Sequence, residues 1–167
     1  MTSHAKPDPA PPPDLRLELV SDPVYLCGVR ELVVHTARRL GYSEKDASQI
    51  ALAVDEALVN VIRHGYDRCC DGRIWLSISP QRGVGGEVDA LCIVIEDEAR
   101  QVDPCQIKGR SLDEIRPGGL GVHIIRQVMD EVCYSKREGC GMKLAMKKKR
   151  VVADEPIPTG DCGPRHE

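Results

Sequence analysis

Apolar residues recur at steps of three and four between Ala47 and Ile62, at Ala47, Ile50, Ala51, Val54, Ala57, Leu58, Val61 and Ile62. That period predicts one amphipathic helix over Asp46 to His64 with a single stripe turned to a core. Ser43 with Asp46 resembles a capping box at its start, and Gly65 stops it. Earlier in the chain, Leu15, Leu17 and Leu19 alternate with polar neighbours and predict a short half-buried strand. Ser21-Asp22-Pro23 then reads as a helix start. Val24, Leu26, Val29, Leu32, Val33 and Ala37 are expected to form the apolar side of that first helix, which Gly41 ends.

Beyond the long helix the period changes to two. Ile74, Leu76 and Ile78 alternate as a second strand, and Ala90 to Glu96 (ALCIVIE) read as a third, central or buried on both faces. The Gly-rich turn between them predicts an antiparallel hairpin. Asp97 to Gly119 show no sustained period, and a loop of that length inside a compact domain is usually functional. Leu120 to Met129 return to a helical pattern. Val132–Ser135 and Met142–Met146 predict two last strands joined at Glu138-Gly139. Helices and antiparallel strands mixed without regular alternation argue for an α+β fold, a mostly antiparallel sheet covered on one face by three helices.

Composition narrows the class. The 167 residues suit one domain, and the net charge of −3 lacks the basic excess of a nucleic-acid binder. Lys147 to Arg150, the one basic run, reads as a solubilising strand edge. Eight cysteines contain no C-x-x-C pair and no zinc spacing. With no apolar signal core and no run of about 18 apolar residues, a cytoplasmic protein with free, inert thiols is expected. Cys27 and Cys92 fall in apolar patterns and are expected in the core. Phe is absent and aromatics make up 3%, so that core must be aliphatic.

Three places carry candidate chemistry. Glu56, Asn60 and His64 follow one another at steps of four on the polar side of the long helix, where such neighbours stand about 5–6 Å apart at Cβ. Asp97 ends the most buried strand. Pro117-Gly118-Gly119-Leu120-Gly121 opens a helix, where free amides and the helix dipole favour phosphate. A carboxylate such as Asp97 can accept from an amino group, and an Asn oxygen suits Mg²⁺. Each alone has a plainer reading: a solvated helix face, a turn-forming Asp, a structural glycine turn. The sequence holds neither a Walker P-loop nor a GxGxxG element.

Together, EALVNVIRHGY, EDEARQVDP and GGLGVHIIRQVMDEVCY resemble the Asn-containing box and the two glycine boxes of the GHKL ATPases and kinases (gyrase, Hsp90, histidine kinases, MutL). The tyrosine-ending last motif and short lid look most like the bacterial anti-sigma-factor serine-protein kinases of the RsbW and SpoIIAB type. The resemblance implies a two-layer Bergerat ATP-binding domain over 14–149, a disordered Pro-rich tail over 1–13 and a flexible tail over 150–167. ATP and Mg²⁺ are the implied cofactors. Asn60 would hold Mg²⁺, Asp97 would accept from the adenine amino group, and Glu56 would be the catalytic base. Arg63 and His64 would be phosphate-side contacts, Ala99 would lie by the base, and Gly118, Gly119, Leu120, Gly121 and Val122 would lie by the phosphates. Residues 100–117, with Lys108, Arg110 and Arg116, would be the lid.

The implied partners are a sigma factor and a STAS-type antagonist, phosphorylated on serine, with a homodimer and no direct contact to nucleic acid or membrane. One departure stands out. Ala99 occupies a place that is normally Gly, followed by Arg100 and Gln101, and an added methyl disfavours positive φ. Two other readings therefore stay open: an interaction module with weak catalysis, and a stand-alone histidine-kinase-like ATPase domain.

Overall fold

The computed structural model describes residues 12–107 and 120–151. Its elements are β1 (Leu15–Val20), α1 (Leu26–Arg39), α2 (Glu44–Asn60), β2 (Arg73–Arg82), β3 (Val88–Asp97), α3 (Gly121–Val128), β4 (Glu131–Lys136) and β5 (Met142–Lys149). Short 3-10 turns precede α1 (Pro23–Tyr25) and interrupt the long loop (Pro104–Gln106), and a π-helical turn (Val61–Gly65) extends α2. The expected tails and most of the expected lid, with Lys108, Arg110, Arg116, Gly118 and Gly119, lie outside the described residues.

Local chemistry starts each helix. Asp22 accepts from the Val24 amide at 2.9 Å and Pro23 follows it, which opens the turn into α1. Ser43 accepts from the Asp46 amide at 3.0 Å and donates to its carboxylate at 2.7 Å, so the cap on α2 has the expected partners. Gly41, at φ +88°, reverses the chain between the two helices.

The five strands form one antiparallel sheet in the order β1-β2-β3-β5-β4. β3 is central, as expected, but only one of its faces is covered. Leu91, Ile93 and Ile95 are buried against the helical layer, while Cys92, Val94 and Glu96 on the other face are half-buried. The result is a two-layer α+β sandwich. Its core is aliphatic, with Ile50, Leu58, Ile74, Leu76, Ile93 and Ile125 among its fully buried side chains.

Two cysteines correct the expectation. Cys27 is exposed, because the inner side of α1 runs through Val29, Val33 and Ala37. Cys92 is only half-buried, because it stands on the open face of the sheet. No described helix is long and apolar enough to cross a membrane.

Candidate functional site

The C-terminal half of α2, the end of β3, the start of α3 and the β4–β5 pair surround one cavity of about 1190 Å³. Every described residue expected at the site lines it: Glu56, Asn60, Arg63, His64, Asp97, Ala99, Leu120, Gly121 and Val122.

The long helix differs from a single α-helix in its last turn. From Val61 to Gly65 it widens to π geometry, and the Tyr66 amide reaches back to the Val61 carbonyl at 3.0 Å. Such widened turns concentrate at functional sites. The apolar stripe continues through Val61 and Ile62, so periodicity could not reveal the change. Glu56 and Asn60 keep their α-helical spacing. Arg63 and His64 sit in the widened turn as exposed side chains at the cavity wall.

Glu56 and Asn60 meet α3 at Gly121. A Cβ built on Gly121 would stand 2.7 Å from Glu56 Oε2 and 3.2 Å from Asn60 Nδ2. Only glycine leaves that space open. Asn60 Nδ2 is buried and has no hydrogen-bond partner among the described residues. Such a group costs about 1–3 kcal/mol unless something satisfies it. A half-turn of the carboxamide places its oxygen there instead, so the position suits a ligand oxygen or a cation. Among the described residues the start of α3 has no side-chain cap, so its first amides have no such partner there at the same wall.

Asp97 is 4% exposed. Its Oδ1 accepts from the Ala99 amide at 2.9 Å and the Met142 amide at 3.1 Å. Burial pushes its carboxyl above the ordinary carboxylate range, against the pull of those two amides and of Arg137. Ile95, Ala99, Met142, Leu144 and Tyr134 line the same region. They make an apolar slot with one acidic acceptor, while Arg63, His64, Arg68 and Arg100 line the cavity as its basic side chains. A flat, amino-bearing ring and an anion can therefore be held by one molecule.

Ala99 has no positive φ; among the described residues, only Asp67 and Arg68 do so without being glycine. The methyl that replaces the usual glycine causes no backbone strain. It packs instead over Gly65, where a Cβ would come within 2.9 Å of it.

Sequence reasoning missed the residues that hold Asp97 in place. Arg137 Nη1 donates to the Asp97 carbonyl at 2.6 Å, and its guanidinium lies 4.8 Å over the Trp75 ring. Gly141, at φ +84°, lets that carbonyl approach so closely that a Cβ would lie 1.7 Å from it. Tyr66 accepts from the Glu98 amide at 2.8 Å. These contacts join segments far apart in the chain, so no local pattern announces them. Among the described residues, no three His, Cys, Asp or Glu side chains are grouped to hold a metal by themselves.

Residues 19–148 match the family model described as the histidine kinase-like ATPase domain. A serine-protein kinase RsbW from Halalkalibacterium halodurans is 31% identical over 128 residues, which cover 72% of this chain and 73% of the relative. The serine-protein kinase RsbW of Bacillus subtilis is 25% identical over 142 residues, covering 80% and 84%. A solved structure of RsbU and RsbW domains from a Mycobacterium tuberculosis protein superposes with a TM-score of 0.54 at 15% identity. It is similar in fold over 85% of this chain, which spans 33% of that longer one.

Proposed function

The chain belongs to the histidine kinase-like ATPase family, and from that premise we propose that it is an ATP-dependent serine-protein kinase and anti-sigma factor acting in a partner-switching pathway. Its serine-protein kinase RsbW relatives support the reading. The observation that carries it is the meeting of Glu56, Gly121 and an Asn60 Nδ2 without a partner among the described residues, in the cavity that Asp97 also lines.

In this reading Asp97 accepts from the adenine amino group and the slot of Ile95, Ala99, Met142 and Leu144 holds the ring. The amides from Leu120 to Val122, with Arg63 and His64, face the phosphates. Asn60 would hold Mg²⁺, which would neutralise charge on the phosphates. That ion usually keeps waters and substrate oxygens as ligands, so one carboxamide oxygen from the protein suits it. Glu56 takes the proton from a serine hydroxyl of the antagonist as that oxygen bonds to the γ-phosphorus. The bond to the bridging oxygen breaks and ADP leaves. General base help of this kind is worth about 10²- to 10⁴-fold, with positioning supplying much of the rest.

The partners are a sigma factor and a STAS-type antagonist, and the working unit is a homodimer. The test is incubation with labelled ATP and a candidate antagonist. The wild type transfers phosphate to serine, whereas Glu56→Ala binds ATP and transfers at least about 100-fold more slowly. Transfer at full rate by that variant would remove Glu56 as base. Binding without transfer by the wild type would leave an interaction module.

A further inference from the structure

The turn from Tyr66 to Gly72 carries two adjacent exposed thiols, Cys69 and Cys70. Beside the main cavity lies a smaller hollow of about 210 Å³. Cys70 lines it together with Leu26, Val59, Arg63 and Arg68. Arg63 and Arg68 also line the main cavity, so the two spaces share these two arginines in their linings. An exposed thiol with two arginines in the same lining is placed to meet a reagent that carries carboxylates.

The turn is also tied to the site. Asp67 and Arg68, both on the cavity, hold φ of 50° and 67°. Asp takes that region readily as a single residue, whereas Arg rarely does, so the strain of this turn falls on Arg68. The Tyr66 ring covers Gly72, where a Cβ would lie 2.3 Å from it. The Tyr66 hydroxyl donates to the Arg73 carbonyl and accepts from the Glu98 amide, next to Asp97. Ser21 closes the turn from the other side: its hydroxyl donates to the Cys69 carbonyl and accepts from the Gly72 amide at 3.0 Å. A change of shape at residues 69 and 70 therefore reaches both the two arginines and the strand end that bears Asp97.

We propose that Cys69 and Cys70 form a thiol-exchange site for low-molecular-weight anionic disulfides, and that its oxidation weakens nucleotide binding in the adjoining cavity. The second half rests on the nucleotide reading above. In the first step the Cys70 thiolate attacks one sulfur of the small disulfide, forming a mixed disulfide and expelling one small thiolate, which takes up a proton. In the second, the Cys69 thiolate attacks the Cys70 sulfur and expels the other small thiol. The two cysteines lose two electrons and two protons, and the small disulfide gains them. The ring closed across adjacent residues cannot keep the turn's present backbone.

The experiment treats the full chain with glutathione disulfide and maps the modified peptides by mass spectrometry against time. The peptide with Cys69 and Cys70 is expected to react ahead of those with Cys27, Cys105, Cys133 and Cys140. Affinity for a non-hydrolysable ATP analogue then falls about tenfold, a usual size for coupling between sites, and dithiothreitol restores it. A Cys69→Ser, Cys70→Ser double variant binds like the reduced wild type and ignores the disulfide. Equal reaction at the other exposed cysteines overturns the proposal, as does full modification at 69 and 70 with unchanged affinity. Failure of the reduced wild type to bind the analogue would instead overturn the nucleotide reading, and the order of peptide reaction tests the thiol site independently of it.

Discussion

Replacing Asp97 with asparagine separates the job of tying the strand end from the job of recognising a base. Oδ1 of Asp97 holds the amides of Ala99 and Met142 at 2.9 and 3.1 Å, and an amide oxygen in the same place keeps both. The carboxyl is held above its ordinary range by burial, so ionisation is harder in the folded chain than in the unfolded one. Between the ordinary and the raised value the folded state carries the extra proton. Stability from this group is therefore lost as pH rises through that window. At neutral pH the Asp97→Asn protein is expected to fold at least as stably as the wild type. Binding is different. A charged acceptor is replaced by an amide whose second group is a donor, facing an amino group that also donates. Loss of one hydrogen bond to a charged partner costs about 1.5–3 kcal/mol. That is roughly 10- to 150-fold in Kd. Calorimetric titration with ATP, beside urea unfolding of the free protein, measures both quantities. Unchanged affinity would remove Asp97 as the acceptor, and a large loss of stability would make its role structural. The same logic gives a pH profile: ATP binding by the wild type weakens as pH falls through the raised Asp97 value.

Gly141→Ala forces a Cβ to within 1.7 Å of the Asp97 carbonyl at a φ of +84°; a loss of about 3 kcal/mol or more in urea unfolding is expected. Gly121→Ala is the opposite case. Its methyl meets the movable Glu56 carboxylate at 2.7 Å and the Asn60 amide at 3.2 Å, and alanine favours the helix by about 1 kcal/mol. The melting temperature should hold while ATP affinity drops at least about tenfold, a loss of about 1.4 kcal/mol; an unaltered Kd would mean that the ligand does not use this corner. Tyr66→Phe removes the bonds to Arg73 and Glu98 and is expected to cost about 1–2 kcal/mol, read from chemical denaturation.

Much of this arrangement was legible because local signals agreed. The stripe from Ala47 to Ile62, the Ser43 cap and the alternation in β2 each named their element, and the order of elements then limited the fold. The polar row of Glu56 and Asn60 was visible for the same reason: a period fixes which side chains share a side. Cys92 shows where that logic stops. In ALCIVIE both alternating sets are apolar, so the run did not say that Leu91, Ile93 and Ile95 face the helices while Cys92 and Val94 face outward. Gly141 and Arg137 failed for another reason. Their importance comes from touching the Asp97 backbone across the sheet, a contact between distant segments that hairpin chemistry does not encode.

Trp75, the lone tryptophan of the chain, lies on the open face of the sheet beneath the guanidinium that grips the Asp97 carbonyl. The protein thus carries its own optical reporter linked through Arg137 to the strand end that bears Asp97. A ligand that moves the end of β3 is expected to shift the cation over the indole, and with it the emission. Stopped-flow emission can then time ligand binding without a dye, in a background of four tyrosines and no phenylalanine.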